Sequence, residues 1–281
     1  MTFVRFLFIA ALFPWGALAQ STAKIDSFYS PSLGSMKAYT IILPDHYSPS
    51  HRYPVLYLLH GYSGGYRDWI DRTGILRYVS GSSFIVVMPD AGNSWYVNSF
   101  ENLSDQYENY MIDDLPHHIR SLLSIDTTRQ AIAGLSMGGY GALVLAFRHP
   151  GTFCFAGSLS GALSVPVDIP EWEHHAWGFS IAPNLKQTFG PRPGPFWNDH
   201  DLFQLFRRTP VARFPYCYIV TGEQDGFTNF LPAARALADS LRGIGARYEY
   251  HETPGSHNWK FWDSQIQPLL KRLDELFTAE R

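Results

Sequence analysis

The sequence predicts an α/β fold: a mostly parallel central sheet with helices on both faces and an insertion capping one end. Three observations carry this. Short apolar, β-branched runs at residues 55–59, 84–88 and 216–220 alternate along the chain with stretches of helical periodicity, the pattern of βα units. The runs are continuously apolar rather than alternating, as strands buried on both faces are. The third observation is local. Arg129-Gln130-Ala131-Ile132-Ala133 passes through Gly134-Leu135-Ser136-Met137-Gly138 directly into the small-residue helical pattern Gly139-Tyr140-Gly141-Ala142-Leu143-Val144-Leu145-Ala146, a strand turning sharply into a helix.

Taken in order, residues 1–19 read as a signal peptide. Arg5 supplies a positive start, residues 6–12 are apolar, and Ala17-Leu18-Ala19 fits a small-x-small cleavage site. The apolar run is too short to span a bilayer and Pro14 interrupts it, so no stable membrane insertion is expected after cleavage, and the location is secreted or periplasmic. Residues 20–281 are long enough for one α/β domain. Within it, residues 24–30 and 36–43 form an opening β-pair around a turn at 31–34. Residues 107–123 carry Tyr107, Met111, Leu115, His118 and Leu122 at helical spacing, with Pro116 expected to kink the helix. Between the strand ending near Ser160 and the one starting near Tyr216, the alternation breaks. This insertion, about residues 161–213, holds Trp172, Trp177, Trp197, Phe179, Phe189 and Phe196 and the cluster Pro191-Arg192-Pro193-Gly194-Pro195. So long an excursion on the carboxyl side of the sheet is read as a cap over the site. A last strand at 246–251 and a final helix at 259–277 close the domain. Cys154 and Cys217 fall in predicted core strands; neighbouring strands disfavour a disulfide, and buried thiols are common. Asn102-Leu103-Ser104 is a glycosylation sequon, meaningful in a eukaryotic host alone. The net charge is −3 and 17% of residues are charged; the chain has no basic patch, so nucleic acid is not an expected partner.

The strand–turn–helix motif carries chemistry. Its serine is flanked by glycines because the turn leaves no room for side chains, and the strained turn exposes the hydroxyl. A serine needs a histidine to take its proton and a carboxylate to orient the imidazole. Downstream, residues 216–220 end in Thr221-Gly222-Glu223-Gln224-Asp225, placing a carboxylate just past a core strand. His257 follows the last strand. Ser136 is therefore the expected nucleophile, His257 the general base and acid, and Asp225 the orienting carboxylate, with Glu223 the competitor for the last role. His117 and His118 on a helix, His174 and His175 in a polar loop, and His251 in a strand are expected to be surface or structural. The oxyanion donors are expected to be the backbone N–H of Met137 and that of Tyr62 in the glycine-rich turn His60-Gly61-Tyr62-Ser63-Gly64-Gly65. Trp95 and Trp259 are expected to reach the cleft and bind substrate.

These segments, with Trp69 and Ser158-Leu159-Ser160-Gly161, resemble the putative esterase family of the α/β-hydrolase superfamily, which includes S-formylglutathione hydrolase (esterase D), tributyrin and feruloyl esterases, and the antigen 85 mycolyltransferases. The match runs over roughly residues 36–275, and the Gly134-to-Leu143 run is its most specific part. The resemblance implies an α/β-hydrolase fold, the same nucleophile, acid, base and oxyanion residues, and no metal or cofactor. An exported chain fits poorly with the normally cytosolic S-formylglutathione hydrolases, and no long acyl tunnel is recognisable. The expectation is a secreted serine carboxylesterase acting on short acyl, acetyl or feruloyl esters, with a small-molecule or carbohydrate-linked ester as substrate. The alternatives are an acyltransferase of the antigen 85 type, using a sugar or glycerol acceptor, and a non-catalytic carbohydrate-binding protein on the same scaffold.

Overall fold

Eight strands form one sheet in the order β1-β2-β4-β3-β5-β6-β7-β8 in the computed structural model, which describes residues 22–174 and 178–279. The expected signal peptide at 1–19, His175, Trp177 and the side chain of Phe179 lie outside the described residues. β1 (Ala23–Ser30) and β2 (Ser35–Ile42) pair antiparallel as an opening hairpin, and β2 pairs antiparallel with β4 (Ile85–Pro89). From there the sheet is parallel: β3 (Tyr53–Leu59), β5 (Ile125–Leu135), β6 (Phe155–Leu159), β7 (Tyr216–Gly222) and β8 (Tyr248–Thr253). The continuous apolar runs follow from double coverage. β4 and β6 are buried at every position, and alternate residues of β5 face opposite layers, Ile132 one and Ala131 and Ala133 the other.

Helices α1 (Asp68–Arg72) and α2 (Ile75–Tyr78) cover the second of these layers, together with the C-terminal helix described below. The predicted helix at 107–123 is three pieces: α3 (Tyr107–Asn109), a π-turn (Tyr110–Asp114) and α4 (Leu115–Leu122). Pro116 sits in the first turn of α4, where its missing N–H costs no bond; the irregularity it imposes is the wide π-turn before it rather than a kink inside one helix. On the opposite face α5 (Met137–Arg148), buried over nearly its whole length, packs against β3, β5 and β6. A salt-bridged carboxylate braces this face. Glu108 on α3 is buried and accepts from Arg148 Nε and from His149 Nε2, each at 2.7 Å.

The insertion between β6 and β7 folds as α6 (Ile169–Trp172), α7 (Gly178–Phe189), α8 (Pro195–Asn198) and α9 (Leu202–Arg208). It belongs to the main core: Phe189, Trp197 and Leu202 are buried with the α5 layer, and Tyr140 Oη donates to the His200 carbonyl at 2.7 Å. Then α10 (Phe230–Gly243) packs on β7 and β8, and α11 (Trp259–Ala279) covers the second layer. The last strand starts two residues later than its alternation suggests, at Tyr248. Cys217 lies in β7, whereas Cys154 immediately precedes β6, and the two form no disulfide. Among the described residues no helix is long and apolar enough to cross a membrane.

Candidate active site

At the carboxyl end of the central strand β5 the chain reverses into α5 through Ser136, whose φ of 53° and ψ of −118° lie outside the ordinary regions for a non-glycine residue. Such a conformation costs on the order of 1–3 kcal/mol and persists where its surroundings hold it. Here they do so through both backbone groups of Ser136: its N–H donates to the Leu159 carbonyl at 2.9 Å, and its carbonyl accepts from Ala162 N–H at 3.3 Å. The flanking glycines answer to contact rather than to φ. A Cβ at Gly134 would lie 2.7 Å from the Gly138 carbonyl carbon, and one at Gly138 would lie 2.6 Å from the His60 carbonyl oxygen.

The structure brings the three residues singled out in the sequence into one hydrogen-bonded line. His257 Nε2 lies 2.9 Å from Ser136 Oγ, and His257 Nδ1 lies 2.9 Å from Asp225 Oδ2. The Asp225 side chain is 1% exposed, and its other oxygen accepts from Phe227 N–H at 3.0 Å. A carboxylate only accepts, so the imidazole proton belongs on Nδ1 and Nε2 is left to accept from the serine hydroxyl. The ring is caged edge-on by Phe227, Phe230 and Trp262 at centroid distances of 4.6, 5.4 and 4.9 Å, which fixes its plane and sheds water. Glu223 is exposed and takes no part. His117 and His118 lie on α4, His174 lies in the turn after α6, and His251 sits on β8 beside Glu249.

Met137 is the first residue of α5, so its N–H belongs to the group that no carbonyl of its own helix reaches. Facing it is the turn after β3 that carries Tyr62. Gly64 N–H closes the turn on the Gly61 carbonyl at 3.1 Å, and Ser63, at φ 60°, donates its N–H to Asn93 Oδ1 at 2.7 Å. His60 pins the turn from beneath: its Nε2 accepts from Ala91 N–H at 3.0 Å, so its Nδ1 carries the proton donated to the Gly61 carbonyl at 2.8 Å. Burial lowers the His60 pKa, against the opposing pull of the Gly61 carbonyl, and keeps the ring neutral. Tyr96, next to Trp95 in the chain, is fully buried and donates its hydroxyl to the His60 carbonyl at 2.9 Å. Five of the six described non-glycine residues with positive φ, namely Ser63, Trp95, Tyr96, Ser136 and Ser160, gather at this end of the sheet.

A cleft of about 340 Å³ opens above Ser136. Trp95 and Trp259 both line it. Trp95 is held by Nε1 donating to Asn184 Oδ1 at 2.8 Å, and Trp259 stands edge-on to Trp69 and Trp262. The insertion contributes Trp172 and Ile181 to the wall. Sequence reasoning passed over Phe227 and Phe230, the first two aromatic residues after Asp225, and Trp262, one helical turn beyond Trp259. It also passed over Asp68 and Arg72, which give one end of the cleft its charges. Among the described residues no cluster of three or more His, Cys, Asp or Glu is placed to hold a metal. The arrangement is suited to a serine attack on a carbonyl: a base on the hydroxyl, a buried carboxylate behind the base, and backbone N–H groups at a helix start beside the nucleophile.

Comparison with known proteins bears on this geometry. The sequence model of the family described as putative esterase matches residues 30–273. An acetyl esterase of Caldicellulosiruptor saccharolyticus is 28% identical over 77% of this chain and 82% of its own length. The diacylglycerol acyltransferase/mycolyltransferase Ag85B of Mycobacterium leprae is 27% identical over 80% of this chain and 77% of its own. Among solved structures, a fluorophosphonate-binding serine hydrolase of Staphylococcus aureus superposes with a TM-score of 0.77 at 24% identity, covering 90% of this chain and 98% of that one; at that identity the likeness concerns the α/β-hydrolase fold.

Proposed function

The chain belongs to the putative esterase family, and on that premise we propose that it is a serine carboxylesterase working through an acyl-enzyme. The observation that carries this reading is the unbroken line Ser136, His257, Asp225, with both links at 2.9 Å. Ser136 Oγ attacks the ester carbonyl as His257 Nε2 takes its proton, and the developing oxyanion is met by the N–H groups of Met137 and Tyr62. The protonated imidazole, stabilised by Asp225, then gives its proton to the departing alcohol. Water then attacks the acyl carbonyl as His257 takes its proton, and the imidazolium returns that proton to Ser136 Oγ as the bond to the acyl group breaks and the acid leaves. The aromatic walls and the modest cleft support short acyl or aryl esters, with Trp95 and Trp259 as substrate contacts and the insertion as a cap. We further propose that residues 1–19 direct export. Transfer of the acyl group to a sugar or glycerol hydroxyl remains the second reading, favoured by the similarity to Ag85B.

Hydrolysis of p-nitrophenyl esters from acetate to octanoate and of methyl ferulate tests the reading. Ser136→Ala is expected to lower kcat on the order of 10⁶-fold. Retention of most activity in that variant refutes the assignment, and products transferred to added glycerol at the expense of free acid favour the second reading.

A further inference from the structure

The cleft has two unlike ends. Trp95, Trp172, Ile181, Phe227 and Phe230 make one end apolar; Asp68 and Arg72, on the first and last residues of α1, line the other. The mechanism proposed above uses neither charge.

The two charges are not equivalent. Asp68 is occupied: its Oδ2 accepts from Gly65 N–H at 3.1 Å at the start of α1, and its side chain is 22% exposed. Arg72 is 57% exposed, and its nearest carboxylate oxygen, on Asp68, stands 3.8 Å from Nε, beyond hydrogen-bond reach. By contrast the neighbouring Arg67 is spent on two 3.0 Å bonds to Asp71. The Arg72 guanidinium is held over the Trp259 ring, 5.6 Å from its centroid, and that ring is itself braced between Trp69 and Trp262 at 5.5 and 5.2 Å. A guanidinium stacked on a fixed indole keeps its in-plane donors available and loses little freedom on taking a planar oxyanion. A ligand entering this end meets the cation as the more exposed member of the pair.

We propose that Arg72 is a specificity determinant that selects esters carrying a carboxylate, which it holds through charge-assisted hydrogen bonds. This rests on the esterase reading. The test measures kcat/KM for two matched pairs: phenyl acetate against 4-acetoxybenzoate, with the carboxylate on the departing alcohol, and 4-nitrophenyl hexanoate against 4-nitrophenyl hydrogen adipate, with it on the acyl chain. Comparing wild type with Arg72→Gln within each pair cancels the intrinsic reactivity of the esters. The expected result is a charged-to-neutral ratio that falls about tenfold or more in Arg72→Gln for at least one pair, the size of a lost bond to a charged group. The loss should reside in KM, shrink with added salt, and be partly restored in Arg72→Lys. Ratios unchanged within twofold for both pairs, with neutral esters still hydrolysed, overturn the proposal and leave the esterase standing. Hydrolysis of no ester at all overturns both.

Discussion

Replacing Asp225 by asparagine changes one atom and sets two hydrogen bonds against each other. In the native site Oδ2 faces His257 Nδ1 at 2.9 Å and Oδ1 accepts from Phe227 N–H at 3.0 Å. An amide cannot serve both. With its oxygen toward His257, its NH₂ confronts the Phe227 N–H, leaving a buried donor unpaired at about 1–3 kcal/mol. With its oxygen toward Phe227, its NH₂ forces His257 to accept at Nδ1, so Nε2 carries the proton and cannot take one from Ser136. The second arrangement satisfies both bonds and is preferred, because the site is almost wholly buried. The ground state is then the wrong tautomer, and no carboxylate stabilises the imidazolium. We expect kcat to fall by about 10⁴-fold, or about 5 kcal/mol of barrier, with KM and the thermal midpoint little changed. The assay is steady-state hydrolysis of p-nitrophenyl butyrate, with circular dichroism to verify the fold. A folded Asp225→Asn enzyme within tenfold of wild type refutes the claim that this carboxylate sets the tautomer.

The other predictions concern packing and pH. Gly138→Ala places a methyl 2.6 Å from the His60 carbonyl and 2.9 Å from that of Leu59, so α5 must back away from β3; a loss of about 1–3 kcal/mol in urea unfolding and about a hundredfold in kcat are expected, and near-native values for both contradict the close approach. Stability should also fall in acid, in two steps of known sign. Burial holds His200 down at about 4, below its unfolded value of about 6.5, so the unfolded chain takes a proton first and stability drops by about 3 kcal/mol as pH falls from about 6.5 to 4. Burial pushes Glu108 up, but the bonds from His149 and Arg148 outweigh it and hold it at about 2, so its contribution is complete above its unfolded pKa and is lost as pH falls toward 2. Urea unfolding at a series of pH values reads both, and His200→Gln should flatten the upper step; an unchanged slope there would show that His200 is not its source.

Much of this site is written locally. Gly134-Leu135-Ser136-Met137-Gly138 encodes its own geometry because the steric demand that selects its glycines arises within a few residues and from the adjacent strand. The buried strands are legible as continuous apolar runs, and the position just past a strand end locates Asp225 and His257. What the sequence hid was long-range. The partners of His60, at Gly61 and Ala91, depend on the loops after β3 and β4 meeting. Tyr96 looks like a cleft residue beside Trp95, but its positive φ turns the hydroxyl under His60. Phe227 and Phe230 look like ordinary core aromatics until the fold sets them against the His257 ring. The π-turn before Pro116 was legible only as an irregularity, because a proline reports a missing donor and not how the preceding turn absorbs it.

The position of β8 gives the site a weak flank. It is an edge strand, bonded to β7 alone, half-buried at each of its residues, and braced from the helices by the Arg235–Glu252 and Arg272–Glu249 pairs, which at such exposure hold little. Yet it is β8 that delivers His257. The nucleophile rests on a strand paired on both sides and its base hangs from one paired on a single side. Local fraying of one border of the sheet, far smaller than global unfolding, withdraws the imidazole while β5 and the elbow stay intact. Activity in this molecule therefore reports on one border of its sheet, and its loss with heat or denaturant can run ahead of any change in the core.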